Sequence, residues 1–186
     1  MDARRTGGAL LGVIAIALMV SVVRLRAEAG GGCSQPDATI PVRVRASSPE
    51  LREALRSGIR RSPLLASLVR RIEASDGFVY LHRGGLPLRN AGRLLGGLSH
   101  DIVAGPDYRL LTIVVWQQPG DQMICTVAHE LRHALEVLDA PEAVDQLSVK
   151  QLYDRIGLKI RSSVYETDAA ERVGERVKRE LARCRS

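Results

Sequence analysis

His129-Glu130-Leu131-Arg132-His133 sets two imidazoles four residues apart, with a carboxylate directly after the first. Residues four apart on an α-helix lie one above the other, so both rings can reach one ion at about 2.0–2.1 Å. Glu130 then lies about 100° round the helix, beside the position that such an ion leaves open. From there a carboxylate can take a proton from an activated water, so the chemistry this HExxH pattern suits is zinc-assisted hydrolysis. The plain alternative is a surface helix with two solvated histidines. With His129 at zero on a helical wheel, Ile124, Ala128, Leu131, Leu135 and Leu138 spread over about 180° to 260° and form a core stripe. His129, His133 and Glu130 occupy about 0° to 100°, an arc that suits a solvated face or the floor of a cleft. A third ligand arriving from elsewhere must decide.

Glu166 is the candidate third ligand, in the segment YETDAAERVG. Glu166, Ala170, Val173, Val177 and Leu181 share a helical phase, so a carboxylate heads an apolar face and needs a partner there. An ion held by the two histidines would provide one and keep a fourth position for water. A structural alternative stands beside it: Ser163-Val164-Tyr165-Glu166 matches a capping box, in which Glu166 would bond the backbone at a helix start. On the same wheel Asp168 and Glu171 point away from the ligand face, while Ala169, Ala170 and Gly174 are small enough for this helix to approach the motif helix closely. Tyr153 and Tyr165 are candidate transition-state stabilisers through their hydroxyls, with core packing as the alternative for each. His82 and His100 fall in expected strands, where an outward, solvated imidazole is the competing reading. Cys125, one turn before His129, reads as a small packed thiol rather than a fourth ligand.

Taken together, HELRH and YETDAA resemble the gluzincin metallopeptidases, in particular small bacterial forms with little beyond a catalytic core. Within that group the chain looks like the branch whose second motif is a Glu followed by small residues, as in the membrane-associated prenyl-protein peptidases with their E-x-x-A-D pattern. Glu166 and Ala169 match that pattern, but the Asp position is Ala170. The resemblance spans roughly residues 108–183. It implies Zn2+ held by His129, His133 and Glu166, Glu130 as general base, and a peptide or protein substrate. The family Asp orients a ligand histidine, so Ala170 leaves that support to a group the sequence does not identify.

The elements that must position these residues are legible from periodicity. Ile40, Val42 and Val44 alternate as a first strand, with folded structure expected from about Ala38. Ser48-Pro49 opens a helical pattern that runs to Ser75 and that Ser62-Pro63 divides in two. Phe78–His82, Leu98–Ala104 and Tyr108–Gln117 read as strands of one small sheet. The motif helix is expected over about Gln122–Leu138, a short helix over Ser148–Ile156, and a long one over Val164–Arg183. The expected fold is α+β and zincin-like: a small mixed sheet packed against helices, an HExxH helix, and a C-terminal helix supplying the third ligand.

Arg4 and Arg5 precede the uncharged run Gly7–Val23, so residues 1–29 read as a signal peptide or an N-terminal membrane anchor, 30–37 as a linker and 38–186 as the metallopeptidase domain. Ala27 and Ala29 offer a cleavage pattern, whereas Arg24 and Arg26 suit the flank of an anchor, so both outcomes stay open. Export would carry the domain to the periplasm, cell envelope or exterior, with membrane association through residues 7–23 if the segment is retained. Of Cys33, Cys125 and Cys184 at most one pair can close. The chain of 186 residues has 45% hydrophobic and 26% charged residues, enough for one domain with a real core. Aromatics make up only 3%, too few rings for a base-stacking platform, and the net charge of +6 comes from dispersed Arg, so no nucleic-acid partner is expected. The function expected is an exported zinc metallopeptidase. Its rivals are a non-catalytic zinc-binding or structural protein of the cell envelope with the same fold, and an enzyme latent without a partner.

Overall fold

The computed structural model describes residues 41–84, 95–161 and 164–184, which all belong to one compact unit. The expected leader at 1–29, the linker at 30–37, Cys33 and the fold start near Ala38 lie outside the described residues. No helix among the described residues is long and apolar enough to cross a membrane.

The first strand among the described residues, β1 (Val44–Ala46), buries Val44 and leaves Val42 exposed, while Ile40 of the expected alternation lies outside the described residues. Helices α1 (Pro49–Arg61) and α2 (Pro63–Glu73) follow, each opened by a serine cap and a proline. The Ser48 hydroxyl accepts the Leu51 N–H, and that of Ser62 accepts the Leu65 N–H, which satisfies donors the first turn leaves unpaired. Proline immediately after each cap costs nothing, because its missing N–H would have no helical partner there.

Strand β2 (Gly77–Arg83) pairs in parallel with β1 on one side and with β5 (Arg109–Val115) on the other. Antiparallel to β5 run two short strands, β3 (Gly96–Leu98) and β4 (Val103–Ala104). The stretch read as one strand over Leu98–Ala104 is therefore two pieces that share the β5 edge, and the sheet is mixed, in the order β1-β2-β5-β3. Along β5, Leu111, Ile113 and Val115 are buried and alternate with half-exposed neighbours. One face of the sheet is thus the core face, and α1, α2 and α3 (Asp121–Leu138) contribute Leu51, Leu65, Ile72, Leu131 and Leu135 to the same core. Each such side chain contributes about 1.5–3 kcal/mol by leaving water.

Gly120, at φ +52°, turns the chain into α3, a conformation that side-chain-bearing residues rarely adopt. The far end of α3 is held by the buried Arg109, whose guanidinium donates to the carbonyls of Val137, Leu138 and Ala140 and pairs with Asp76 at 2.8 Å. Helix α4 (Gln146–Ile156) starts at an Asp145–Ser148 capping box. A two-stranded hairpin follows, β6 (Leu158–Arg161) with β7 (Val164–Glu166), and then α5 (Asp168–Arg183).

That hairpin corrects the expected C-terminal helix. Residues 164–166 are strand, and the helix begins only at Asp168 because Thr167 caps it, its hydroxyl accepting the Ala170 N–H. Glu166 therefore stands before the helix rather than on its apolar face, and the capping-box alternative fails with it; Ser163 lies outside the described residues. The α+β class with a small mixed sheet and five helices among the described residues is as expected. Cys184, at the C-cap of α5, is disulfide-bonded, which fits the single pair that three cysteines allow.

Candidate metal centre

Helix α3 is buried nearly all round. Its leucine stripe faces the sheet, and the arc carrying His129, Glu130 and His133 forms the floor of a cleft of about 1260 Å³. Helix α5 crosses this arc closely at Gly174, where an added Cβ would lie 3.7 Å from His129. The small residue the sequence placed there permits that approach.

Glu166, at the end of β7, reaches both histidines. One carboxylate oxygen lies 3.3 Å from His129 Nε2 and the other 3.3 Å from His133 Nε2. One ligand atom from each of the three residues falls within 4.8 Å of the others. Donors bound at about 2.0–2.1 Å to one tetrahedral ion stand about 3.3–3.4 Å apart, so this set has the size of a metal site. The fit is also chemical: two imidazoles and one carboxylate suit a borderline divalent ion. Burial favours the neutral form of Glu166, but hydrogen bonds from both imidazoles overcome it and hold the carboxyl well below its usual range.

Glu136 is the residue that sequence reasoning missed. Its Oε2 lies 2.9 Å from His133 Nδ1, and its Oε1 accepts the Thr167 hydroxyl at 2.8 Å. A carboxylate at Nδ1 keeps a ring proton there, so Nε2, which shares its own proton with Glu166, is the nitrogen that can release it and turn a lone pair to an ion. Burial opposes a charged imidazole, yet the bonds to Glu136 and Glu166 push the His133 pKa up to about 9. Thr167 also donates its N–H to Glu166 at 2.9 Å, so one threonine joins the candidate third ligand, the α5 cap and the carboxylate behind His133. The support that Ala170 could not give thus comes from the motif helix itself. The signal was present in HALEVL, an acid three residues after the second histidine inside a run of buried positions.

Glu130 lies beneath β3. An added Cβ on Gly96 would come within 2.8 Å of its Oε1, so any larger residue there would have to displace Glu130 or Thr126. At 5% exposure, burial raises the Glu130 pKa above the usual carboxylate range. The start of β3 is clamped to α3 through Gln118, whose amide donates to the Leu95 carbonyl while its oxygen accepts the Thr126 hydroxyl. On its other side β3 has no partner strand among the described residues.

The two tyrosines do not aim their hydroxyls at the metal position. Tyr153 is buried and donates to the His133 carbonyl at 3.1 Å, while Tyr165 donates to Asp154 at the surface. Both pack as ring contacts, the alternative that the sequence offered for each. His100 lines the cleft and packs on both tyrosines; His82 is exposed at the end of β2, outside the cleft. Cys125 lines the cleft without joining the three-residue group. Glu171 also lines the cleft wall, whereas Asp168 is exposed and faces Arg172, so neither joins the group.

No protein-family model, curated protein or solved structure matches the chain. The site must be read from its own residues.

Proposed function

We propose that the chain is a zinc-dependent peptidase of the gluzincin type, with His129, His133 and Glu166 as the metal-holding set and Glu130 as the general base. The observation that carries this reading is the convergence of those three side chains beside a buried carboxylate under the edge of β3 that has no partner strand among the described residues. A zinc ion held there would act as a Lewis acid, polarising a carbonyl and bringing the pKa of a water toward ~7.

The chain's residues supply the rest. Glu130, raised by burial, accepts a proton at its carboxylate and returns it to the departing amine. Glu136 keeps the His133 ring from turning. The edge of β3 offers backbone groups to an extended peptide, which would lie along the cleft directly over Glu130. A purely structural zinc site is closed by four protein ligands, and the group among the described residues has three.

One experiment separates the enzyme from a non-catalytic zinc protein. The purified chain should hold one zinc per molecule by elemental analysis and cleave some members of a diverse peptide library. Glu130→Gln should keep the zinc while turnover falls by about 10²-fold or more. Substoichiometric metal after supplementation refutes the site, and absence of cleavage by fully loaded wild type, alone and with candidate partner proteins, refutes the peptidase.

A further inference from the structure

The two ends of the cleft differ in chemistry, and the packing of the helices fixes which end is which. Arg61 pairs with Asp121 at the start of α3 and also donates to the Leu181 carbonyl near the end of α5, so the two helices run antiparallel. Glu175 and Lys178 of α5 therefore line the cleft near the start of α3, where Gln118 clamps Leu95. They face one another at 3.5 Å and make this the charged, more polar end, although Leu95, Trp116 and Pro119 line it as well. The opposite end, past His133, is walled by rings. Tyr153 stands 5.8 Å from the His133 ring, and His100, Tyr153 and Tyr165 are mutually 5.8 Å apart by centroid. Ile160 and Val164 of the hairpin extend this wall, and Ile160 is 56% exposed although it borders the cleft. With Tyr153 and Tyr165 bonded elsewhere through their hydroxyls, their two rings add apolar surface to the wall beside the His100 imidazole. An exposed apolar side chain beside a ring cluster is covered when a ligand carries an apolar group of its own to that place.

Strand β3 runs from the polar end, at Leu95 and Gly96, toward the ring end at His100. A peptide adding to its free edge in the antiparallel sense, the more stable ladder, runs the other way. Residues before the scissile bond then lie toward His100 and Ile160, and residues after it toward Glu175 and Lys178. We propose that the ring end of the cleft is a subsite for a large apolar or aromatic side chain on the amino side of the scissile bond, so that the substrates are peptides cut directly after such a residue. This inference rests on the peptidase reading of the same site.

The test uses binding and cleavage together. Zinc-loaded Glu130→Gln is titrated calorimetrically with blocked hexapeptides that differ only in the residue before the intended scissile bond: Phe, Leu, Ala or Asp. Phe and Leu should bind about tenfold or more tighter than Ala, with Asp weakest. Adding Ile160→Asp should erase the order, and Ile160→Ala should weaken it, with zinc content unchanged because Ile160 is neither a ligand nor in the core. Cleavage sites of the wild type in denatured casein should show the same residues directly before the cut. Equal binding of the four peptides, no binding of any, a preference for the residue after the cut, or an order that survives in both Ile160 variants overturns the subsite. If wild type cleaves nothing while Glu130→Gln still discriminates, the peptidase reading fails and the apolar subsite stands.

Discussion

Glu136 joins two ends of the site. One oxygen holds the His133 ring and the other holds Thr167, which itself bonds the candidate ligand Glu166 through its backbone N–H. Both His133 and Glu166 are thereby set before any ion arrives, which lowers the cost of ordering them on binding. Glu136→Ala leaves a buried imidazole N–H and a buried hydroxyl without their acceptor. Zinc affinity should fall by about 10- to 100-fold, read by competition with a coloured chelator, and Glu136→Gln should recover part of the loss because its amide oxygen can still accept. Equal affinity in wild type and Glu136→Ala would show that the carboxylate plays no part in positioning. The sequence made the two histidines and Glu130 legible, because a fixed spacing on one helix fixes their geometry. It named Glu166 through a helical phase that the fold does not have, so the residue was found and its element misplaced. Glu136 was overlooked, although an acid three residues after His133 inside the apolar run HALEVL is the pattern that could have found it.

At the scale of the elements, the turns were readable wherever a cap and a proline stood together, as at Ser48-Pro49 and Ser62-Pro63. The start of α5 was not, because Val164 and Tyr165 suit a strand or a helix and only the hairpin with β6 decides between them. Equally invisible was Arg109, a basic residue at the start of a strand that ties off the motif helix. Its guanidinium satisfies carbonyls of the last turn of α3 and holds Asp76, which precedes β2. Arg109→Met should cost about 3 kcal/mol or more in urea unfolding, since it strands those carbonyls and the Asp76 carboxylate together. The pairing also sets an acid limb. The hydrogen bonds from Arg109 lower the folded-state pKa of Asp76. A carboxyl depressed on folding contributes stability that is present above its unfolded value of about 3.9 and is lost as pH falls through the lower folded value. Wild type should therefore lose more stability than Asp76→Asn over that acid range. Parallel stability–pH curves for the two proteins below about pH 4 would refute the linkage.

At the scale of the whole molecule, the candidate metal centre lies between two parts of the chain that the core joins only in part. His129 and His133 belong to α3, which is packed on the sheet, whereas Glu166 comes from the hairpin that leads into α5. Helix α5 has its own anchors, the buried Leu181 and Val177 and the Glu180 carboxylate that accepts the Ser62 hydroxyl at 2.6 Å. The apolar core around Leu111, Ile113 and Leu131 does not involve the three ligands. Folding is thus expected to survive removal of the ion, with the ion adding stability by linkage. A ligand that binds only the native state at a thousandfold excess over its dissociation constant adds about 4 kcal/mol, which for a domain of this size raises Tm on the order of 10 °C. Thermal unfolding of the chain from residue 30, which keeps Cys33, monitored by circular dichroism in chelator and in excess zinc, should show that difference. Glu130→Gln should keep the shift, because Glu130 is not among the three ligands, while His133→Ala should lose it. A Tm that ignores zinc, or a shift that persists in His133→Ala, would mean the ion does not bridge α3 and the hairpin. Complete unfolding in chelator would instead mean that the core is too small to hold α5 without the metal, contrary to the packing of Val177 and Leu181.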